Sequence, residues 1–202
     1  MRKNLALLFI ILSAILVTAC NKQVEEAVPE NEEISVENEG TPETEEIIEE
    51  DVEVGIYPGM KAPNFISQDR DGNEISLSDY DGKIRFLNFW ATTCPYCVDE
   101  MPDLEEFYND HKDEDDFALI GINMTKTWEK MSKEEIVAWV DDMGITFPMA
   151  FDMDGDMAQE WQAYSLPVTF IIDEEGISHG AIMGKTDAKT LEKVLEKLRE
   201  SK

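Results

Sequence analysis

The sequence predicts an α/β fold, in which a mixed central β-sheet has helices on both faces and an N-terminal β-hairpin extension. The segments Ile84–Trp90 and Phe117–Ile122 are short and almost continuously apolar, as expected of strands buried on both faces. The last segment of the chain instead repeats apolar residues with the spacing of an amphipathic helix. With 202 residues and 43% hydrophobic content, the chain has room for one such domain plus extensions.

The domain is expected to begin near residue 55 with the hairpin. A short strand is predicted after Ala-Pro-Asn-Phe at 62–65, and Asp-Gly-Asn at 71–73 is a turn signal. The alternating residues 75–77 predict the second strand on the far side of this turn. A second turn at Asp-Gly, residues 81–82, then leads into the central strand.

A helix is predicted from Cys94 to about His111. Pro102 lies inside it and cannot donate a backbone hydrogen bond to the carbonyl of Val98, which predicts a kink. The remaining predicted elements are a helix opened by a Ser132–Glu135 capping box and ending near 143, a short helix at 155–164, paired strands Val168–Ile172 and Ile177–Met183, and a last helix from about Asp187.

Cys94 and Cys97 form the most informative motif, Cys-Pro-Tyr-Cys, between a predicted strand and a predicted helix. Two thiols at this spacing can close a disulfide, and the N-terminus of a helix stabilises a thiolate. Because the thiolate is the nucleophile in thiol–disulfide exchange, Cys94 is the predicted attacking thiol and Cys97 the resolving thiol. Pro95 falls near the first helical position, where its missing N–H has no cost.

The alternative interpretation of these two cysteines is a metal site. Zinc would need about four ligands, and no further cysteine is free for that role. The histidines, His111 and His179, show no ligand spacing relative to the motif. We therefore expect neither a metal nor a cofactor, only a redox-active disulfide.

Residues 1–19 predict an export signal. Arg2 and Lys3 precede an apolar run at 5–17, which is shorter than the roughly 20 residues needed to span a membrane. The run ends in Leu-Val-Thr-Ala-Cys at 16–20, which resembles the bacterial lipobox and implies that Cys20 is lipidated. A cleaved soluble protein and an uncleaved membrane span are the alternatives. All three place the rest of the chain outside the cytoplasm, where disulfides persist.

Residues 20–54 are predicted to comprise the lipidated Cys20 and an acidic, disordered tether. Residues 55–202 are predicted to form the domain. Fourteen acidic residues and a single lysine lie within 21–53, which contains no aromatic residue. Such a segment cannot bury enough apolar surface to fold. The formal net charge of −28 also argues against nucleic acid as a partner and limits membrane contact to the lipid anchor.

Three segments of the chain have a family likeness. They are Asn-Phe-Trp-Ala-Thr-Thr-Cys-Pro-Tyr-Cys at 88–97, Glu-Met-Pro at 100–102, and Leu-Pro-Val-Thr-Phe-Ile-Ile-Asp at 166–173. Together with the hairpin start at 62–65, they resemble the thioredoxin fold, and more specifically the TlpA/ResA-like group of extracytoplasmic thiol–disulfide oxidoreductases. The likeness covers about residues 58–200. Thr93 departs from the tryptophan usual in the group, and Asn88 departs from the buried aspartate of thioredoxins.

The resemblance also implies roles for residues outside the motif. Pro167 is expected to be a cis-proline facing the disulfide, with the backbone of Leu166 turned toward a docking polypeptide. Glu100, one helical turn after Cys97, is expected to exchange a proton with that thiol, and a solvated glutamate is the alternative. The predicted docking surface further includes Pro95, Tyr96 and Trp90, although core packing is the favoured role for Trp90.

The predicted function is a membrane-anchored, extracytoplasmic thiol–disulfide oxidoreductase of the protein-disulfide reductase type. Exported protein thiols and disulfides are the expected partners, a membrane protein is the expected electron donor, and the resemblance makes cytochrome c maturation one candidate task. One alternative is a thiol peroxidase, which Ala91 disfavours because that site needs a threonine there. Another is a copper metallochaperone, which the two-residue spacer disfavours. Asp152–Asp156 resembles a calcium loop but is interpreted as a turn and helix cap.

Overall fold

A computed structural model describes residues 52–201 and shows the elements in the predicted order. Five strands form one mixed sheet in the order β5-β4-β3-β6-β7, and β1 and β2 form a separate antiparallel hairpin. The strands are β1 (Ile66–Gln68), β2 (Glu74–Ser76), β3 (Ile84–Trp90), β4 (Phe117–Asn123), β5 (Met149–Phe151), β6 (Val168–Ile172) and β7 (Ser178–Met183). The helices are α1 (Pro95–His111), α2 (Lys133–Asp142), α3 (Asp156–Glu160) and α4 (Ala188–Glu200), with a short 3-10 helix at Leu77–Tyr80.

The strand β3 lies at the centre of the sheet, parallel to β4 and antiparallel to β6. All seven of its residues are buried, because both faces of the sheet are covered. Phe86 and Trp90 point into an apolar cluster shared with α1, α2 and α4. Leu87 and Phe89 point into a second cluster shared with α3 and the hairpin. The predicted mixed sheet with helices on both faces is therefore confirmed.

Capping residues set where several helices begin. The predicted capping box of α2 is present, since the Ser132 hydroxyl accepts from the Glu135 N–H and the Glu135 carboxylate accepts from the Ser132 N–H. Asp152 is fully buried, and its carboxylate accepts from the N–H groups of Gly155, Met157 and Ala158. The interpretation of Asp152–Asp156 as a turn and cap is thus confirmed.

Three elements differ from the prediction. Leu77 begins a 3-10 helix, capped by Ser76, instead of ending the second hairpin strand. The strand β5 was not predicted, because its three residues are too few for a periodic pattern. It pairs in parallel with β4 and completes one edge of the sheet. The helix expected at 155–164 has only five residues and ends before Trp161, whose side chain is buried against Phe89 and Phe170.

In the described residues, contacts with the domain begin slightly before residue 55. The carbonyl of Glu53 accepts from the N–H of Lys61, and Val54 forms a β-bridge with the same residue. The signal peptide, Cys20 and most of the predicted tether lie outside the described residues. Within 52–201, no helix is both long and apolar enough to cross a membrane.

Candidate active site

The end of β3 and the start of α1 hold the two cysteines. Cys94 is the N-cap of α1, and Pro95 occupies its first turn, as predicted. The sulfurs of Cys94 and Cys97 form a disulfide, with the Cα atoms 5.3 Å apart. The Cys94 sulfur also accepts from the Cys97 N–H at 3.2 Å, so a backbone donor already faces the atom that would carry the negative charge.

The two sulfurs differ in access. Cys94 keeps 5% of its surface exposed, whereas Cys97 has none. An incoming sulfur can therefore reach Cys94 from solvent, while Cys97 lies behind it. This asymmetry agrees with the predicted attacking and resolving roles.

Glu100 lies fully buried one helical turn beyond Cys97. Its Oε1 accepts from the Asn88 side-chain amide at 2.8 Å, and its Oε2 accepts from the Thr186 N–H at 2.9 Å. Burial disfavours the carboxylate more than these two bonds favour it, which raises the pKa of Glu100 to about 7. The alternative of a solvated glutamate is wrong for this side chain.

Asn88 connects Glu100 to β6, the strand that follows Pro167. Its side-chain nitrogen donates both to Glu100 and, at 3.0 Å, to the Thr169 hydroxyl. The described residues offer its Oδ1 no hydrogen-bond partner. Because an amide does not titrate, Glu100 rather than Asn88 is the member of this pair that can take up a proton near neutral pH.

The peptide bond between Leu166 and Pro167 is cis, as expected. Pro167 is buried, and its carbonyl accepts from the N–H of Gly184 at 2.9 Å. Leu166 is half-buried, which leaves part of this residue accessible to a partner.

The predicted docking residues divide into two groups. Pro95 and Tyr96 are exposed, and 66% of Tyr96 is open to solvent beside the disulfide. Trp90 is fully buried and stacks on Trp139 with ring centroids 5.8 Å apart. The expectation that Trp90 forms part of the docking surface is therefore wrong. Strand alternation directs its side chain into the core, which confirms the packing role.

The loop after β4 contacts the turn in front of Cys94, a contact that no pattern in the sequence predicts. The Thr93 hydroxyl donates to the carbonyl of Trp128 at 2.8 Å, and the Trp128 side chain is 39% exposed. Trp128 and the exposed Tyr164 line a groove of about 490 Å³, all of whose lining residues are uncharged. No local pattern marks these residues, because only the fold brings them together.

Fold and site together define a thioredoxin-fold thiol–disulfide oxidoreductase. The profile of the AhpC/TSA family matches residues 58–178, and the chain belongs to this family. Thioredoxin-like protein YneN of Bacillus subtilis (strain 168) is 35% identical over 144 residues, which is 71% of this chain and 82% of YneN. Thiol-disulfide oxidoreductase ResA of Geobacillus kaustophilus (strain HTA426) is 34% identical over 144 residues, which is 71% of this chain and 79% of ResA.

A solved structure shows that the similarity extends to the fold. The pneumococcal exposed lipoprotein thioredoxin Etrx1 from Streptococcus pneumoniae strain TIGR4 is 25% identical and superposes with a TM-score of 0.61. The match covers 67% of this chain and all of Etrx1, 100%. The resemblance to ResA-like oxidoreductases that the motifs indicated is confirmed.

Proposed function

We propose that this protein is a lipid-anchored, extracytoplasmic reductase that acts on disulfides of exported proteins. One observation carries the proposal: the Cys94–Cys97 disulfide lies at the start of α1, one helical turn before a buried carboxyl group, Glu100. The outer sulfur is accessible for exchange, and the inner sulfur has a neighbouring group that can move its proton.

The reaction begins with both cysteines reduced. The Cys94 thiolate attacks one sulfur of the substrate disulfide, forms a mixed disulfide and releases the other substrate sulfur as a thiolate. The Cys97 thiol then loses its proton and attacks the Cys94 sulfur. The substrate leaves with its second thiol, and the Cys94–Cys97 disulfide has formed. Two electrons have passed to the substrate, and a donor must return two to the enzyme.

Glu100 is proposed to take the Cys97 proton in the second step. A general base works best when its pKa lies near the working pH, and burial raises the pKa of Glu100 to about 7. In Glu100→Gln, release of the mixed disulfide should slow by about 100-fold or more and lose its dependence on pH near 7. Stopped-flow measurement of the second step between pH 5.5 and 8.5 tests this. A pH profile equal to that of the wild type would remove Glu100 from the mechanism.

The proposed location rests on the sequence 16–20 and on the similarity to a lipoprotein thioredoxin. A diacylated Cys20 would give stable membrane attachment, and the acidic segment would hold the domain away from the surface. Apocytochrome c thiols before haem attachment are one candidate substrate, and a membrane protein is the proposed electron donor.

The decisive experiment is trapping with Cys97→Ala in the producing cell. This variant should stall as a mixed disulfide through Cys94, so exported proteins should appear as reducible adducts identifiable by mass spectrometry. Cys94→Ala is the matched control and should trap nothing. Adducts restricted to cytoplasmic proteins, or no adducts in either variant, would contradict the proposal.

Separate measurements test the anchor and the alternative activities. Mass spectrometry of the membrane-extracted protein should find Cys20 acylated and N-terminal, and an unmodified Cys20 would remove the lipid anchor. Peroxide turnover by the reduced protein would favour the thiol peroxidase. Tight one-to-one copper binding would favour the metallochaperone.

A further inference from the structure

We propose that Glu129 is a positioning residue for the exchange reaction. Its carboxylate fixes the turn in front of Cys94, and its negative charge keeps the Cys94–Cys97 couple more reducing than it would otherwise be. The inference rests on the proposed function only in taking Cys94 as the attacking thiol.

Three hydrogen bonds hold the Glu129 side chain. Its Oε1 accepts from the Thr92 N–H at 2.6 Å and from the Asn123 side-chain amide at 2.9 Å. Its Oε2 accepts from the Thr92 hydroxyl at 2.5 Å. Asn123 is fully buried at the end of β4, so the carboxylate links the sheet to the turn that ends at Cys94.

All three donors are neutral groups, and the described part of the chain gives Glu129 no ion pair. Its charge is therefore not cancelled by a bonded cation. Lys126 and Lys130 are exposed on the same loop, and Lys185 and Asp103 act on Glu100 of α1. The Glu129 side chain is half-buried, so it is more exposed to solvent than the fully buried Glu100.

The chain places this charge close to the reacting sulfur. Thr92 is two residues before Cys94, which limits the separation of their Cα atoms to about 7 Å. The Glu129 carboxylate, bonded to the Thr92 N–H, therefore lies on the same turn as Cys94, and a like charge near a thiol disfavours its thiolate. The thiolate belongs to the reduced state, so disfavouring it shifts the equilibrium toward the disulfide and makes the enzyme a stronger reductant.

The variant Glu129→Gln separates the charge from the hydrogen bonds. A glutamine can accept from both N–H donors and can donate to the Thr92 hydroxyl, so the turn keeps its contacts. Loss of the charge should move the pH midpoint of Cys94 alkylation by iodoacetamide to a lower value. One pH unit above the wild-type midpoint, the equilibrium with glutathione should shift at least about threefold toward the dithiol, which corresponds to about 15 mV.

The matched control is Glu106→Gln, which removes the same charge from an exposed position on α1. This variant should leave both the midpoint and the potential at their wild-type values. Purified full-length protein serves for every measurement, and thermal unfolding verifies that each variant folds.

A purely structural role predicts a different result. Glu129→Ala would then unfold at a lower temperature, while Glu129→Gln would keep the wild-type midpoint and potential, and that outcome would overturn the proposal. Equal shifts in the Gln and Ala variants would support it. These readouts use no protein substrate, so failure of Cys97→Ala to trap a partner would contradict the proposed function and leave this inference standing.

Discussion

At the scale of single residues, the environment of Glu100 decides what this side chain can do. Two N–H donors favour its charged form, yet complete burial outweighs them and raises its pKa to about 7. A carboxyl group that changes charge near neutral pH can exchange protons with a thiol. The same shift has a consequence for stability, because the folded and unfolded states then bind protons differently.

The direction of this consequence follows from the two pKa values. The pKa of Glu100 rises from its ordinary value of 4.5 in the unfolded chain to about 7 in the folded protein. Its contribution to stability is fully present below pH 4.5 and is lost as the pH rises through 7. Glu100→Gln should therefore gain about 2–3 kcal/mol relative to the wild type between pH 4.5 and pH 8.

Urea unfolding of both proteins at pH 4.5, 6 and 8 measures this difference in the free energy of unfolding. Glu106→Gln is the control, since an exposed glutamate on the same helix should show no comparable trend. A difference between wild type and Glu100→Gln that is independent of pH would contradict the raised pKa.

At the scale of elements, α1 joins the active site to a polar cluster at its opposite end. His111, nearly buried, bonds Glu114 through Nδ1 at 3.0 Å and Glu192 of α4 through Nε2 at 2.6 Å. Arg199 of α4 pairs with Glu114 and with Asp116. The two acidic partners outweigh the effect of burial and raise the pKa of His111 above its ordinary 6.5.

The imidazolium of His111 should thus stabilise the α1–α4 contact in a pH-dependent way. Because the folded pKa is raised, this stability is fully present below pH 6.5 and is lost as the pH rises through the folded value. His111→Phe keeps a ring against Phe107 and Phe117 but removes the charge. It should cost about 1–3 kcal/mol at pH 5.5 and much less at pH 9.

Denaturant unfolding at these two pH values checks the prediction. A cost that is equal at both would mean that ring packing, rather than charge, accounts for the role of His111. Exchange activity at pH 7 provides a second control, because the cluster lies at the end of α1 away from Cys94 and activity should be unchanged.

The elements also show where sequence alone was sufficient. The strands β3 and β4 are long, apolar and bounded by turns, and Cys94 directly follows one of them, so the strand, the helix start and the disulfide could all be predicted. The three-residue β5 carries too little pattern. The sequence leaves Trp90 two possible roles, with core packing favoured over docking, because a tryptophan beside a motif does not reveal which face of its strand it occupies. Glu129 is joined to Thr92 only by tertiary structure, so no local signal identifies it.

At the scale of the whole molecule, the segment just before the hairpin is part of the domain. Glu53 and Gly55 exchange hydrogen bonds with Lys61, and Ser178 of β7 bonds residues 56, 59 and 60. These contacts cover the start of β7, an edge strand of the sheet. The acidic segment before them is predicted to be a tether that contributes no packing.

Two truncations test this boundary. Removing residues 1–51 should leave the melting temperature of the domain within about 2 °C of the full-length value, because a solvated tether adds no buried contact. Removing residues 1–61 also deletes the three hydrogen bonds between this segment and Ser178, and should cost about 2–4 kcal/mol. Calorimetry of both proteins measures the difference. Equal melting temperatures for the two truncations would exclude 52–61 from the domain.

The concealment of Cys97 behind Cys94 limits how the enzyme can be used. Electrons can enter and leave through one sulfur only, so the donor and the substrate must visit the same spot in turn. The two partners cannot be bound covalently together, and excess of either should inhibit the other. Steady-state rates with both partners varied should give parallel double-reciprocal lines, the signature of a ping-pong cycle.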